Sequence, residues 1–370
     1  MMTRVARLIV RHRVSVLVIA ALLLGAGVFG MLNTRINYDL LAYLPDDLES
    51  VQGFRFLTED FSLGNTAQVM VVGASEGRVA GLADQVAGIE GVADVAWVDD
   101  LGDLSVPREF WEHAAADSYV AGDSTFFQVS FSESANDPLT RSAVYEIRDV
   151  MAQEEAYIAG VEQLELEDTI NADRTRFAVA AVALVSIALL LTIPSVIVPL
   201  LFVVTIGLAV VYNLGMSYFI GQEISYLTGV IVLALQFAVT MDYALFLYHR
   251  YEQERAHADN ETAMVTALAA TFRSVAAAAL TTTAGFLALM TMRLGFGADM
   301  GGTLARGVII TLIATLTVLP ALLLVFDGAI RRFAHRTYMP DFSRLGGWLA
   351  RHAVSVTVLL VLLFVPAFWS

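Results

Sequence analysis

The 370-residue chain has no cysteine. That excludes a disulfide framework and any thiolate zinc or redox centre, and it leaves the compartment open. Lysine is missing as well, and all 22 basic residues are arginine. Schiff-base chemistry is therefore excluded. No GxxxxGK[ST] loop exists either, so ATP-driven work by this chain is excluded. Only six histidines occur. His249 and His257 lie eight apart and the others are scattered, so no metal-ligand spacing is present and no cofactor is expected. Charged residues are scarce, at 16%.

What fills the chain instead is hydrocarbon. Hydrophobic residues make up 57% and the mean hydropathy is +0.66, well above the roughly 45–50% apolar content of soluble domains. Apolar runs of about 18 residues or more recur, as needed to cross a ~30 Å hydrocarbon layer. The net charge of −15 is unevenly spread. Between Asn33 and Ile170 there are about 27 acids and about 6 arginines, near −21, and the remainder is near +6. An acidic soluble block interrupts a mildly basic membrane scaffold. No nucleic-acid partner is expected.

Residues 1–13 carry Arg4, Arg7, Arg11 and Arg13 ahead of the first apolar run, 14–32. A signal peptide is the rival reading, but the run is too long for an h-region and no small-x-small site closes it. The arginines place the N-terminus in the cytoplasm. Residues 33–172 then read as an extracytoplasmic α+β domain. Strand-like runs fall at 66–73, 92–100, 124–132 and within 156–168, with helical spacing at 78–89 and 138–155. The order strand, helix, strand, strand, helix, strand is that of a split βαβ, ferredoxin-like unit.

Five more spans follow within 173–326, at 176–193, 196–220, 224–248, 271–292 and 301–326. Pro194 and Ser195 make a tight hairpin between the second and third. "GFGADMGG" (295–302) reads as a loop between the fifth and sixth. Residues 327–348 form a basic linker on the cytoplasmic face, and a seventh apolar run occupies 349–370. "VRHRVSV" (10–16) opens the first span and "ARHAVSV" (350–356) the seventh, with five identities 340 positions apart. The echo predicts that a second copy begins near residue 341 and that the chain belongs to a longer protein.

One acid stands inside the fourth span: Asp242, in "VTMDYALFLYHRYEQER" (239–255). A carboxylate in hydrocarbon costs about 2.5–3.5 kcal/mol on insertion scales, and such residues mark ion paths and proton relays. A buried acid is expected there, with Tyr243 as hydroxyl partner. A structural acid is the alternative, but Arg306, the one arginine well inside a span, lies too near the outer end to pair with it. His249 lies two turns on. It either feeds protons or sits in an aromatic belt beside Tyr248 and Tyr251, and the belt is the plainer reading. Thr281, Thr282 and Thr283 either line a path toward Asp242 or pack helices with their alanine neighbours. Gln236 is expected to hydrogen-bond between helices.

"YDLLAYLPDD" (38–47), "MDYALFLYHRY" (241–251), "ALTTTAGFLALM" (279–290) and "TLTVLPALLLV" (315–325) resemble the mycobacterial membrane protein large (MMPL) branch of the resistance-nodulation-division transporters. The resemblance runs over nearly the whole chain. It implies an α-helical integral membrane protein of the bacterial cytoplasmic membrane, not an enzyme, in which an Asp-Tyr pair couples proton entry to helix movement. A second such pair, on the tenth span of a duplicated chain, would face the first. The implied function is proton-driven export of a lipid or other hydrophobic molecule, with the C-terminal half, a second copy, or a trimer or other homo-oligomer as partner. A SecDF-like protein-export subunit and a non-transporting lipid-sensing module are the alternatives.

Overall fold

The structure, a computed structural model, describes residues 2–38, 41–59, 66–98, 119–133, 137–336, 347–348 and 351–364. Residues 39–40 of the "YDLLAYLPDD" stretch lie outside the described residues. So do 99–100, linker residues 337–346 and 349–350, and the last six positions of the seventh run.

A short amphipathic helix, α1 (Met2–Arg11), turns at His12 into α2 (Arg13–Asn33). Five long apolar helices follow the inserted domain: α6 (Glu162–Thr192), α7 (Ile197–Phe219), α8 (Tyr226–Arg255), α9 (Asn260–Leu289) and α10 (Gly295–Val325). With α2, six helices are long and apolar enough to cross a membrane. Small α11 (Asp327–Arg332) follows α10, and α12 (Ala353–Phe364) lies in the seventh run.

Glycine sets the tightest crossing in the bundle. Gly27 and Gly30 of α2 lie against Gly215 of α7, so close that a Cβ on Gly215 would stand 2.2 Å from the Gly27 carbonyl oxygen. Backbone approach of this kind replaces the hydrophobic drive that helices lack in lipid. At the far end, the Pro194–Ser195 hairpin docks on the chain after α10. His335 N–H donates to the Pro194 carbonyl at 3.1 Å and Ser195 Oγ to the Ile330 carbonyl at 3.2 Å. Around it, Asp327 pairs with Arg255 at 2.8 Å and Arg331 at 3.0 Å, and Arg13 pairs with Glu261 at 2.7 Å. Linker residues 327–335 thus pack against this end of the bundle.

The insert begins with α3 (Glu49–Glu59), which the sequence reading did not single out. It continues through β2 (Thr66–Val72), α4 (Glu76–Ala87), β3 (Val92–Ala96), β4 (Val120–Ala121), β5 (Ser124–Phe131), α5 (Pro138–Met151) and β6 (Glu155–Ala159). The sheet runs β3-β5-β2-β6 with every neighbouring pair antiparallel, and β4 pairs beside β5. In β2, Ala67, Val69 and Val71 alternate inward, and in β5 Phe127, Val129 and Phe131 do so. They meet Leu82 and Val86 of α4 and Val144 and Ile147 of α5. Asp137 caps α5 by accepting from Leu139 N–H at 2.8 Å, with Pro138 opening the helix. Two features tie the domain to the bundle. β1 (Ile36–Asn37) pairs parallel with β7 (Ile224–Ser225) at the start of α8, and Arg293 pairs with Asp47 at 2.6 Å. The domain's last strand leads almost directly into α6, which is one unbroken helix from Glu162 into the bundle.

The expected loop at 295–302 is corrected: these residues form the first turns of α10. Its glycines suggested a break, but Asp299 in its midst is held in place by partners on other elements.

Gly215→Val is expected to lower stability by about 1–3 kcal/mol, the range for overpacking, as a fall in melting temperature in detergent. Gly25→Ala, at a position with open space around it, is expected to leave it unchanged or slightly raised. Equal effects of the two changes would show that the α2–α7 crossing does not depend on the missing Cβ.

Candidate functional site

Helical periodicity decides what α8 shows to its neighbours. Gln236, Thr240, Tyr243, Leu247 and Tyr251 are buried and form one stripe. Ala234, Ala238, Asp242, Phe246 and His249 form another, and all five are exposed. Asp242 is therefore not buried within this chain, contrary to the expectation. It makes no hydrogen bond or ion pair among the described residues, because α7, α9 and α10 all pack on the other sides of α8. With α8 extending to Arg255, Asp242 sits near the middle of the helix.

Tyr243 turns inward beside it. The ring is 7% exposed and packs on Val275 and Ala279 of α9 and Val308 of α10. The side chain of Thr282 on α9 stands beside its hydroxyl. Thr282 donates its own proton to the Ala278 carbonyl at 3.0 Å. Of the three threonines, Thr282 is thus the one brought to the Asp-Tyr pair. Thr281 is exposed and bonds back to the Ala277 carbonyl at 3.0 Å. Thr283 is buried on a different side, its hydroxyl without a partner among the described residues. His249 shares the open face with Asp242 and meets Tyr248 edge-on at 6.1 Å. The aromatic belt is corrected: Tyr248 and Tyr251 are 4% and 1% exposed and belong to the core at the basic end of the bundle.

A polar string missed in the sequence runs between α7, α8 and α10. Asp299, 8% exposed, accepts from Ser225 N–H at 2.8 Å, Thr228 Oγ1 at 2.6 Å and Gln222 Nε2 at 3.2 Å. Gln222 Oε1 in turn accepts from Arg306 Nη1 at 3.1 Å. Arg306 also donates to Asn213 Oδ1 at 3.0 Å, the Asn213 carbonyl at 3.3 Å and Ser217 Oγ at 2.6 Å. Asn213 Nδ2 donates to Gln236 Oε1, and Gln236 Nε2 to Thr311 Oγ1, both at 3.2 Å. Thr240 Oγ1 donates to the Gln236 carbonyl and accepts from Thr311 Oγ1 at 3.1 Å. Gly307 makes room, since a Cβ there would stand 2.6 Å from Asn213 Nδ2. Gln236 bridges helices as expected, and Arg306 takes its partners far from Asp242, also as expected. The available signal was the four-residue repeat Asp299, Thr303, Gly307, Thr311, Thr315 along one face of α10. Among the described residues no cluster of three or more potential metal ligands occurs.

The family model for the MMPL family matches residues 42–368. The chain belongs to the MMPL family. It is 35% identical over 150 residues to the putative membrane protein ActII-3 of Streptomyces coelicolor, a stretch that covers 36% of this chain and 21% of that protein. It is 25% identical over 240 residues to the siderophore exporter MmpL5 of Mycobacterium tuberculosis, covering 61% of this chain and 24% of that one. Against the probable trehalose monomycolate exporter MmpL3 of Mycobacterium leprae, identity is 27% over 201 residues, covering 53% and 21%. The chain thus spans about a quarter or less of these curated relatives. A crystal structure of a heavy metal efflux pump superposes with a TM-score of 0.58 at 11% identity, covering 96% of this chain and 52% of that chain. The two share a fold, and this MMPL chain is a multi-pass membrane protein of a transporter family.

Arg306→Met removes the donor that serves four acceptor contacts. The buried acceptors left unpaired cost about 1–3 kcal/mol each, so a clear drop in melting temperature in detergent is expected. Arg293→Met, which breaks an exposed pair, is expected to cost less than about 1 kcal/mol. An Arg306→Met protein as stable as the parent would show that the string is not structural.

Proposed function

We propose that this MMPL chain is part of a proton-driven exporter of a lipid or other hydrophobic molecule in the bacterial cytoplasmic membrane, with Asp242 as proton carrier and Tyr243 as its hydroxyl partner. The observation that carries the reading is an acid in mid-helix with no partner of its own among the described residues, beside a buried tyrosine. The relatives, a siderophore exporter and a probable trehalose monomycolate exporter, support the substrate class. In this reading the sheet domain is an extracytoplasmic, ferredoxin-like porter domain.

The chemistry follows from the face on which Asp242 stands. An ionised carboxylate in hydrocarbon is costly, so a second surface covers it: a C-terminal half or another copy of the chain. Ala238 and Ala234, one and two turns before Asp242 on the same stripe, let that surface approach closely. A proton on Asp242 removes the charge from the contact, and its loss restores the charge. The two protonation states then favour different packings of the helices. One charge moved across 100 mV is worth about 2.3 kcal/mol, enough to tilt two packings that differ by a few kcal/mol. The packing of the Tyr243 ring on α9 and α10 keeps its hydroxyl in one place while this happens. His249, on the same stripe nearer the basic end, is a candidate exit group, and Thr281 and Thr283 remain accessory candidates.

Two measurements test this. In the intact gene product, Asp242→Asn is expected to insert and fold normally yet abolish export. Tyr243→Phe is expected to impair export while expression is kept. An Asp242→Asn protein that exports at the parent rate, and still responds to collapse of the proton gradient, would place coupling elsewhere. For orientation, single cysteines are introduced at the exposed Asp123 and His257. An impermeant thiol reagent added to intact cells is expected to label the first and spare the second, and the reverse pattern would invert the topology.

A further inference from the structure

We propose that α1 and the start of α9 form a binding site for the phosphate group of an anionic glycerophospholipid. Ala6 and Val10, one turn apart, are 4% and 3% exposed and join the core that includes Ala263, Met264 and Ala267 of α9. This contact pins α1 along α9 and fixes where its other faces point. Arg4, Arg7 and Arg11 recur at helical spacing and are all exposed. They line a cleft of about 720 Å³ between the two helices. None of the three has an ion pair or hydrogen bond among the described residues. The one acid in the cleft, Glu261, is already taken by Arg13 at 2.7 Å, so three guanidinium groups face the cleft uncompensated.

The position selects a lipid over a free anion. The cleft lies at the end of the candidate span Arg13–Asn33, where phosphate groups of a bilayer stand. Its wall is mixed: Leu8, Val10 and Val265 sit beside the arginines. Val5, Leu8 and Val14 are 41%, 62% and 64% exposed next to them. Free phosphate has no use for such a wall, whereas a phospholipid presents an anion and an apolar stem together. Guanidinium groups hold phosphate oxygens through paired N–H donors, and each basic residue near an anionic leaflet adds to the attraction.

The test uses the intact gene product in neutral detergent, with native mass spectrometry to read retained lipid. Phosphatidylglycerol is expected to be retained about tenfold or more over the matching phosphatidylcholine. The triple change Arg4→Gln, Arg7→Gln, Arg11→Gln is expected to bring that ratio near one, and Arg7→Gln alone to lower it part-way. The triple change to lysine, which keeps the charge, is expected to preserve most of the preference and so separates loss of binding from loss of fold. A preference unchanged in the glutamine triple would overturn the site. Displacement of the lipid by inorganic phosphate alone would make it a free-anion site. Displacement by soluble polyglutamate at low concentration would make it a docking place for an acidic protein segment. Either displacement overturns the proposal.

Discussion

The hydrogen-bonded string from Asp299 to Thr240 is the constraint on which the membrane bundle rests. Inside hydrocarbon no water is available to satisfy a polar group, so each donor and acceptor must find its partner in the protein. Asn213 on α7, Gln236 on α8 and Thr311 on α10 meet at one level, and Arg306 and Gln222 tie the same helices nearer the domain. Sliding or rotating any one of these helices would break several bonds at once. α7, α8 and α10 are therefore held in register, and the rotation of α8 about its own axis is fixed. That rotation, and nothing local to the acid, sets Asp242 on the open side.

Other contacts extend the fixed unit toward both ends. The Gly27–Gly215 approach holds α2 to α7 without polar groups, and the Tyr212 hydroxyl adds a bond of 2.6 Å to the Ala20 carbonyl. At the basic end Asp327 gathers Arg255, Arg331 and Asn260. α6 differs. Only 6% of its apolar stretch is buried, so it stands at the margin of the bundle while its first residues follow the last strand of the sheet. The sheet domain is thus joined to the fixed unit near β1 and β7, and to a loosely packed helix at its other end.

The apolar runs, the order of strands and helices in the insert and the Pro194 hairpin were legible because each is written in local periodicity or turn chemistry. Asp242 and Tyr243 were legible as residues out of place in lipid. What could not be read was direction. A helix with polar residues on more than one side does not say which side its neighbours choose, and so the exposure of Asp242 and the burial of Tyr248 and Tyr251 were missed. "GFGADMGG" misled for a related reason. Its glycines favour a loop locally, but the carboxylate of Asp299 receives three donors from the segment 222–228, and that tertiary contact outweighs weak helix propensity.

Asp242 and Asp299 show why a sequence position alone does not define a role. Asp299 is surrounded by a backbone N–H, a hydroxyl and an amide, all aimed at its oxygens. Such an acid is a fixed part of the frame, and changing its state would loosen the elements that donate to it. Asp242 has no donor among the described residues, and its inward neighbour Tyr243 packs on α9 and α10. Nothing in the frame depends on the Asp242 carboxylate. A group on which the scaffold does not rely can gain or lose charge without unfolding it. The string holds the frame rigid without calling on the Asp242 carboxylate.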